Sequence, residues 1–331
     1  MHRIVLLNPM LHRAGEEFLA ARAQVEIVPA GAPPQRIKDA LRAADGVIVR
    51  LPAQITQEVI AAAPRLRVIG TAGAGFDHID IAAATEAGVP VVNNVGIGPN
   101  PVAEHAVGLM LALARRIVMG DRRLRRDGWA CRERLLGEDL GIVLSGKTVG
   151  IVGFGFIGRR VAAVCMAAFG TRVLAYDPYL DDEVFTAAGV ERRRDLRDLL
   201  PSADFLTVHA PLAEGTRHVI GAPELALMKP TAYLINCARG GVVDADALCA
   251  ALRAGRLGGA GIDVFEPEPP QHPHPLYSLE TVIVTPHLAG LSHETNRRLS
   301  LSAAEQVLQV LADERPPRLV NPDVWSRRRR G

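Results

Sequence analysis

A glycine-rich turn near the middle of the chain constrains the fold more than any other feature. The short apolar run Thr148–Val152 has the composition of a buried strand, and the pattern G-x-G-x-x-G follows it at Gly153, Gly155 and Gly158. Apolar residues then recur at helical spacing. Strand, turn and helix in this order are typical of a dinucleotide-binding unit. The first glycine makes the tight turn, the second admits the pyrophosphate, and the third lets the helix pack closely on the strand.

The acidic residue after the next predicted strand indicates which dinucleotide binds. Asp177 ends the segment Leu174–Asp177, about twenty residues beyond the turn. A carboxylate at this position accepts hydrogen bonds from the ribose hydroxyls and repels a 2′-phosphate, so the sequence predicts NAD rather than NADP. Phe156 and Ile157 lie between the glycines, where the helix N-terminus would face the phosphate charge.

Two other nucleotide-binding interpretations deserve comparison. The segment Gly141–Thr148 matches the phosphate-loop pattern G-x-x-x-x-G-K-[ST], but that loop must lead into a helix, whereas Thr148 begins a predicted strand. We therefore reject a phosphate loop. A methyltransferase could share the sheet and the ribose-binding acid, and only the residues further along the chain distinguish it.

Short β-branched runs alternate with alanine-rich helical patterns along the whole chain. Helical patterns include Pro33–Ala43, Thr56–Ala63 and Asp244–Ala254. The candidate strands are Ile4–Leu7, Val25–Val28, Gly46–Val49, Val68–Gly70, Val89–Val92, Thr148–Val152, Arg172–Tyr176, Phe205–His209, Ala232–Asn236, Gly259–Asp263 and Val282–Thr285. This alternation predicts an α/β protein with parallel sheets covered by helices on both faces.

The candidate strands fall into two sets, which predicts two sheets. The long helical pattern Pro101–Arg126 and the polar loop Asp127–Ser145 separate the two sets. A final helix is expected near Ser292–Ala312, and the proline-rich segment Arg315–Asn321 that follows could return to the first domain. The first domain would then be discontinuous in sequence.

Composition limits the range of partners. Of the 331 residues, 38 are Lys or Arg, 36 are Asp or Glu and only 4% are aromatic, which gives no basis for a nucleic-acid or membrane partner. The run Arg327–Arg330 is interpreted as a solvated, frayed tail. The four cysteines are far apart, without a C-x-x-C pair, and are interpreted as reduced thiols of a cytoplasmic protein.

Three polar segments follow predicted strands of the second set, where ligands bind in open parallel sheets. These segments are Asn236–Gly241, Asp263–Pro269 and Thr285–Gly290. Arg239 can hold a carboxylate and polarise a ketone oxygen, and His287 can supply a proton to that oxygen. Glu268 can accept a hydrogen bond from the other imidazole nitrogen. Any one of these residues alone would more often be structural, but the set fits a 2-oxo acid.

The remaining histidines suggest no metal centre. His272 and His274 lie in a proline-rich loop without a cysteine or acid at ligand spacing, so we expect a solvent-exposed loop and no bound metal. His105 falls on an apolar helix and is interpreted as a packing histidine.

The motifs, taken in order, resemble those of the D-isomer specific 2-hydroxyacid dehydrogenase family over nearly the whole chain. The matching segments are Gly73–Asp80, Val102–Glu104, Gly153–Gly158 with Asp177, His209–Leu212 with Thr216, Asn236–Asp244, Asp263–Pro269 and Thr285–Gly290. The resemblance implies that Arg239, Glu268 and His287 are catalytic. It also implies that the amides of Ala74 and Gly75 hold the substrate carboxylate with Arg50 near them.

The resemblance further implies the architecture and the cofactor contacts. A Rossmann dinucleotide-binding domain, residues 100–292, would be inserted into a flavodoxin-like substrate-binding domain made of residues 1–99 and 293–331, with the active site in the cleft. A homodimer would form largely through the helix Val102–Ile117 and the arm after it. The length leaves no room for the regulatory domain of longer phosphoglycerate dehydrogenases. Beyond the glycine turn and Asp177, the implied cofactor contacts are His209, Ala210, Pro211, Thr216, Cys237, Ala238, Asp263 and Gly290.

The leading hypothesis is therefore an NAD-dependent enzyme that interconverts a small 2-oxo acid and its D-2-hydroxy acid. Glyoxylate, hydroxypyruvate, phosphohydroxypyruvate and bulkier oxo acids all remain open as substrates. The alternative is an NAD-gated, corepressor-like binding protein with the same fold, which could retain the same Arg, Glu and His residues. Turnover of an oxo acid with NADH distinguishes the two hypotheses.

Overall fold

The computed structural model describes residues 1–137 and 140–331, and it divides into two compact units. Met1–Gly98 together with Leu291–Gly331 form one, here called the flavodoxin-like unit, and Pro99–Gly290 form the other, the Rossmann unit. The assignment of substrate binding to residues 1–99 and 293–331, and of NAD binding to 100–292, remains a prediction.

The described residues form parallel strands connected by helices. The strands are β1 (Arg3–Leu7), β2 (Gln24–Val28), β3 (Gly46–Val49), β4 (Val68–Thr71), β5 (Val91–Val92), β6 (Thr148–Val152), β7 (Arg172–Tyr176), β8 (Glu191–Arg192), β9 (Phe205–Val208), β10 (Tyr233–Asn236), β11 (Gly259–Ile262) and β12 (Val282–Val284). The helices are α1 (Arg13–Ala20), α2 (Pro34–Leu41), α3 (Gln57–Ala61), α4 (Ile81–Glu86), α5 (Pro99–Ala114), α6 (Ile117–Asp127), α7 (Cys131–Gly137), α8 (Phe156–Phe169), α9 (Asp182–Ala187), α10 (Leu196–Leu199), α11 (Ala222–Leu227), α12 (Ala245–Arg253) and α13 (His293–Leu311).

The flavodoxin-like unit is built on a five-stranded sheet in the order β2-β1-β3-β4-β5. Every pair is parallel, and Ile4 on β1 lies opposite both Val25 on β2 and Gly46 on β3. One face packs α2, α3 and α4 against the sheet in an apolar core, and Leu19 of α1 with Val307 of α13 lies in the core of the other face. Because both faces are covered, the central strands are continuously apolar.

The chain after α13 packs onto the strand β5 at the sheet edge. Val92 and Leu319 form an antiparallel bridge, and the backbone N–H of Val320 donates to the carbonyl of Val91 at 2.8 Å. The side chain of Asn321 accepts from the Val91 N–H at 2.8 Å and donates to the Val89 carbonyl at 3.1 Å. This segment therefore supplies partners for backbone groups that the sheet edge would otherwise leave open.

The arginine run at the end of the chain is also packed against this unit. The Arg328 guanidinium stacks 3.9 Å from the Trp325 ring centroid and pairs with Asp313 at 2.9 Å. The backbone N–H of Arg329 donates to the Gly88 carbonyl at 2.8 Å, and its side chain donates to the Ala63 carbonyl at 3.0 Å. The predicted frayed tail is wrong because a charge count cannot register cation–π stacking or donation to carbonyls.

The Rossmann unit holds a seven-stranded parallel sheet in the order β12-β11-β10-β9-β6-β7-β8. Counted from β6, this is the strand order 3-2-1-4-5-6 of a dinucleotide-binding fold with one further strand at the edge. One face is covered by α5, α8 and α9 and the other by α10, α11 and α12, each over its own apolar core. The predicted fold class is confirmed.

Several local predictions differ from the structure. The helical pattern Pro101–Arg126 is two helices, α5 and α6, because Arg116 adopts a left-handed conformation with φ of 55° between them. The predicted loop Asp127–Ser145 contains a 3-10 helix at Gly128–Ala130 and α7, while its residues 138 and 139 lie outside the described part. The two-residue edge strand β8 was not anticipated. Thr148 does begin a strand, as the rejection of the phosphate loop required.

Candidate active site

Each glycine of the turn between β6 and α8 has a distinct geometry. Gly153 has φ of +90°, and a Cβ there would lie 2.6 Å from the Ala210 nitrogen. A Cβ on Gly158 would collide with the Gly153 carbonyl oxygen, so α8 can approach β6 only with glycine there. Apart from its chain neighbours, no heavy atom lies within 4 Å of a Cβ built on Gly155, the N-cap of α8. The turn thus leaves open space at the helix N-terminus, where a pyrophosphate fits.

Asp177 lies at the end of β7 beside this turn. Its Oδ2 accepts from the Phe154 N–H at 2.9 Å and its Oδ1 from the Tyr179 N–H at 3.0 Å. Each oxygen retains a lone pair, so the carboxylate can still accept hydrogen bonds from ribose hydroxyls. The donor and acceptor groups at the turn and at Asp177 therefore fit NAD.

The loop after β9 is stabilised by its own hydrogen bonds. Thr216 Oγ1 donates to the Pro211 carbonyl and accepts from the Ala213 N–H at 2.8 Å. Burial lowers the pKa of His209 to about 3, so its imidazole is neutral, and its Nε2 lies 3.0 Å from Thr207 Oγ1. His209, Ala210 and Pro211 follow the carboxyl end of the strand, on the edge of the sheet where dinucleotides bind.

A histidine–carboxylate pair lies at the same edge of the sheet, beyond β11 and β12. His287 Nδ1 is 2.7 Å from Glu268 Oε2, and Glu268 Oε1 accepts from the Phe265 N–H at 3.0 Å. Burial alone would raise the pKa of Glu268. The hydrogen bond and charge of His287, the Phe265 N–H and the charge of Arg239 outweigh burial and lower that pKa. Glu268 is therefore an anion that accepts a hydrogen from Nδ1, which leaves Nε2 of His287 for a reacting group.

The loop that carries His287 is held by Asp263, which is completely buried. The Asp263 carboxylate accepts from the N–H groups of Leu288 at 2.8 Å and Ala289 at 2.9 Å, and from the Thr285 hydroxyl at 2.6 Å. Its backbone carbonyl accepts from the His287 N–H at 2.8 Å. The buried charge thus fixes the backbone on both sides of His287.

His105 on α5 completes this network. Its Nε2 lies 3.0 Å from Thr285 Oγ1 and 3.6 Å from Asp263 Oδ1. Thr285 has a single hydroxyl proton and donates it to Asp263, so Nε2 of His105 must carry the hydrogen of its bond to Thr285. The interpretation of His105 as a packing histidine missed this polar role. The sequence around His105 does not indicate this polar role, because its partners Thr285 and Asp263 lie far along the chain.

Arg239 directly follows β10, and its backbone is set by Asn236. The buried Asn236 side chain donates to the Arg239 carbonyl at 2.9 Å and accepts from the Ala238 N–H at 3.0 Å. A Cβ on Gly240 would collide with the Phe265 backbone, so only glycine lets this loop approach the one that leads to Glu268. The positive charge of Arg239 contributes to the lowered pKa of Glu268.

A cavity of about 330 Å³ adjoins the His287–Glu268 pair. Apart from the pair itself, its walls are mainly apolar and include Phe265, Tyr277 and Pro286. His274 is packed against Phe265 and Tyr277, with ring centroids at 5.3 and 5.4 Å. Within residues 1–137 and 140–331, no group of three or more His, Cys, Asp or Glu side chains could hold a metal ion.

The predicted substrate-binding residues of the flavodoxin-like unit lie at the carboxyl edge of its sheet. Arg50 directly follows β3, and its Nε donates to the Pro9 carbonyl at 3.0 Å. Ala74 and Gly75 lie in the loop after β4. Neither the catalytic roles nor these substrate contacts are tested by the geometry of a single unit, and they remain predictions.

A doubly wound sheet with a dinucleotide turn and a histidine–carboxylate pair at its carboxyl edge is typical of nicotinamide-dependent oxidoreductases. Residues 107–289 match the family model for the D-isomer specific 2-hydroxyacid dehydrogenase NAD-binding domain. The chain belongs to the D-isomer specific 2-hydroxyacid dehydrogenase family. The predicted family, enzyme class and NAD cofactor are thereby confirmed at the level of the family.

Individual relatives cover most of the chain. A D-3-phosphoglycerate dehydrogenase of Methanocaldococcus jannaschii is 41% identical over 97% of this chain, which spans only 60% of that relative's length. A glyoxylate reductase of Aeropyrum pernix is 39% identical, and the match covers 95% of both chains. The crystal structure of D-lactate dehydrogenase from Aquifex aeolicus complexed with NAD and lactic acid superposes with a TM-score of 0.84 at 27% identity, covering 96% of this chain and 99% of that one.

In the described part of the chain, no helix has both the length and the apolar character needed to cross a membrane.

Proposed function

We propose that this chain interconverts a small 2-oxo acid and its D-2-hydroxy acid with NAD as the hydride carrier. The observation that carries the proposal is the contact of 2.7 Å between His287 and Glu268, in the same unit as the glycine turn and Asp177. Hydride transfer to an oxo acid requires a proton donor such as a histidine whose second nitrogen is held by a half-buried carboxylate, whereas binding of the dinucleotide alone does not require one.

In the direction of reduction, His287 and Glu268 act as the acid–base pair. NAD held at the glycine turn and Asp177 would, in its reduced form, supply a hydride to the carbonyl carbon. His287 donates the proton on Nε2 to the ketone oxygen, and the Glu268 anion stabilises the imidazolium before that transfer. In the direction of oxidation the same nitrogen accepts the hydroxyl proton.

Substrate contacts are proposed in each unit by itself. In the Rossmann unit, the Arg239 guanidinium binds a carboxylate and polarises the ketone, which a planar fork of donors can do simultaneously. In the flavodoxin-like unit, the backbone amides of Ala74 and Gly75 are the proposed carboxylate donors, and Arg50 contributes positive charge. Glyoxylate reductase among the relatives supports a small substrate, and D-3-phosphoglycerate dehydrogenase supports a phosphorylated one.

The proposed cofactor contacts extend beyond the turn. Cys237 and Ala238 follow β10, Asp263 follows β11, and Gly290 ends the loop of His287. The side-chain oxygens of Asp263 accept three hydrogen bonds from Thr285, Leu288 and Ala289, and its backbone groups are bonded to Asn236 and His287. We therefore assign Asp263 to the cofactor site through the loop that it fixes.

A substrate panel tests the proposal. NADH oxidation is followed with glyoxylate, hydroxypyruvate, phosphohydroxypyruvate and a branched oxo acid, and NAD reduction with the corresponding D- and L-hydroxy acids. We expect turnover of at least one small oxo acid and no turnover of L-isomers. Tight NADH binding without turnover of any oxo acid would instead favour the NAD-gated, corepressor-like protein.

We also propose a homodimer, formed through the helix Val102–Ile117 and the segment after it. Most apolar side chains of α5 are buried within the Rossmann unit, whereas the segment from Ile117 to Val143 exposes several large ones. These are Ile117, Leu124, Trp129, Leu136, Leu140 and Val143, of which Trp129 is 75% exposed. Large apolar side chains exposed along one segment favour an interface. Light scattering should give about twice the 35.5 kDa chain mass, and Trp129→Glu should lower it.

The four thiols are consistent with the cytoplasm as the compartment. Cys131, Cys165, Cys237 and Cys249 are all free and buried. Burial raises the pKa of Cys165 to about 12, so this thiol stays protonated and unreactive at neutral pH. We propose a cytoplasmic protein, and fractionation of the native host tests this.

A further inference from the structure

The loop after β4 presents three consecutive backbone carbonyls to donors within its own unit. The Gly73 carbonyl accepts from the Asn94 N–H at 2.9 Å. The Ala74 carbonyl accepts from Asn93 Nδ2 at 2.8 Å, and the Gly75 carbonyl accepts from Thr71 Oγ1 at 3.2 Å. Three successive peptide units are therefore fixed through their oxygens.

The orientation of the N–H groups follows from these anchors. In a trans peptide the N–H points opposite to the carbonyl of the same unit. The three carbonyls point toward their anchors, the donor groups of Thr71, Asn93 and Asn94. The N–H groups of the same peptide units, those of Ala74, Gly75 and Phe76, therefore point away from these anchors. None of these three N–H groups donates a hydrogen bond to another residue of the described chain, and Ala74 and Phe76 are exposed.

The anchors are themselves rigid. Asn93 and Asn94 are 7% and 1% exposed. The Asn94 side chain donates to the Ala72 carbonyl at 3.1 Å and the Leu299 carbonyl at 3.3 Å. Gln306 on α13 donates to the Asn93 carbonyl at 2.9 Å. The buried side-chain amides of Asn93, Asn94 and Gln306 therefore form a hydrogen-bonded network that supports the loop after β4.

We propose that Asn93 and Thr71 are positioning residues for a carboxylate cradle with three donors, in which the Phe76 N–H is the third beside those of Ala74 and Gly75. This deepens the proposed function, because it rests on a substrate with a carboxylate. Successive N–H groups that converge form an anion-binding concavity. Donors fixed in advance also need no reorganisation when the anion arrives. A carbonyl that already accepts a hydrogen bond polarises its peptide, which strengthens the N–H as a donor.

Thr71 offers a matched pair of variants. Thr71→Val keeps the shape and removes the hydroxyl, whereas Thr71→Ser keeps the hydroxyl. We expect Thr71→Val to raise KM for the oxo acid, and Ki for oxalate as a carboxylate probe, by ~5- to 30-fold. We expect Thr71→Ser to stay near the wild-type values. NADH affinity, measured by fluorescence, should be unchanged in both variants, since a general disturbance of the protein would alter it as well.

Asn93 provides an independent variant of the same kind. Asn93→Asp is isosteric but presents an acceptor to the Ala74 carbonyl, so it should raise the oxalate Ki at least as much as Thr71→Val. Wild-type values of KM and Ki in both Thr71→Val and Asn93→Asp would overturn the positioning role.

The third donor is tested without turnover. The chain has 8 phenylalanines, so ¹⁵N-phenylalanine labelling gives few amide signals, and Phe76→Leu identifies the one of interest. Adding oxalate to the NAD-loaded protein should move the Phe76 amide proton downfield in the wild type and less in Thr71→Val. If oxalate inhibits the wild type but leaves this signal in place, Phe76 is not a donor. If no oxo acid is turned over but the signal moves, the proposed function fails while the cradle stands.

Discussion

His287 Nδ1 lies 2.7 Å from Glu268 Oε2, and the second oxygen of Glu268 is held by the Phe265 N–H. The carboxylate therefore cannot rotate away without losing a backbone hydrogen bond. This fixes which imidazole nitrogen carries the structural hydrogen and leaves Nε2 for chemistry. We therefore expect different effects from replacing His287 and from replacing Glu268.

Replacing His287 by Ala removes the proton donor. We expect kcat for oxo-acid reduction to fall by ~10²- to 10⁴-fold, the usual contribution of a general acid, while NADH still binds. Steady-state kinetics and fluorescence titration measure the two quantities. The exposed His293→Ala variant is the control and should behave as the wild type. Retained turnover in His287→Ala would remove this residue from the mechanism.

Replacing Glu268 by Gln keeps the shape and removes the charge that stabilises an imidazolium. We expect kcat for oxo-acid reduction to fall by ~10- to 100-fold, because the hydrogen bond from His287 Nδ1 then ends on a neutral amide and no longer on a charged acceptor. Steady-state kinetics with saturating NADH measure this change. A wild-type kcat in Glu268→Gln would contradict the pairing.

The same variant makes a prediction about stability. The pKa of Glu268 in the folded chain lies below its ordinary value of 4.5, because its contacts with His287 and Phe265 outweigh burial. Its contribution to stability is therefore present above pH 4.5 and is lost as pH falls through the lowered pKa. The wild type should be more stable than Glu268→Gln at neutral pH, and the difference should shrink in acid. Urea unfolding at pH 7 and at about pH 3.5 tests the sign.

Replacing Asp177 by Ala removes the acceptor for the ribose hydroxyls and the charge that repels a 2′-phosphate. We expect kcat/KM for NADH to fall by ~10- to 100-fold, as for lost hydrogen bonds to a charged group, and the preference over NADPH to narrow. Asp181→Ala, which changes an exposed acid nearby in sequence, is the control. Equal wild-type rates with NADH and NADPH would be incompatible with this selectivity.

Replacing Arg239 by Lys keeps the charge but loses the planar fork. We expect kcat/KM for the oxo acid to fall by ~10-fold or more, with both KM and kcat affected, since one lysine cannot grip the carboxylate and polarise the ketone together. Arg253→Lys, at an exposed position of α12, should leave the kinetics unchanged. Unchanged efficiency in Arg239→Lys would argue against bidentate binding.

Replacing Asn321 by Ala removes three hydrogen bonds that tie the C-terminal segment to Thr85, Val89 and Val91. Because the backbone groups left behind are buried, we expect a loss of ~2–4 kcal/mol in the free energy of unfolding. Denaturant unfolding measures it, with the exposed Asp323→Ala as the control. If Asn321→Ala and Asp323→Ala had the same unfolding midpoint, solvent would have replaced the three lost hydrogen bonds.

The sequence predicted the central strands well because they are buried on both faces and therefore consist of continuous β-branched runs. It failed where backbone conformation or the sheet edge decided the structure. Nothing in the residue types around Arg116 indicates a left-handed residue, since glycine or asparagine usually occupies that conformation. The two residues of β8, Glu191 and Arg192, are polar and too few to form a pattern.

The placement of the site residues at strand ends could be predicted from the sequence. The hydrogen bonds that hold these residues in position could not. Arg239, Glu268 and His287 follow strand ends, which a parallel sheet brings to one edge. The hydrogen bonds from Thr285 to Asp263 and from His105 to Thr285 span 22 and 180 residues. Such partners depend on how helix α5 packs on the sheet, which no local pattern encodes.

Because the C-terminal segment returns to β5, the two units are not completed in the order in which they begin to be synthesised. The Rossmann unit is one continuous stretch, so all of its strands are synthesised before α13 begins. The flavodoxin-like unit begins first but cannot close its sheet edge until Asn321 has emerged. Domains generally fold as units during synthesis. The unit synthesised first is therefore completed last, and its β5 edge stays open for pairing with other chains throughout that interval.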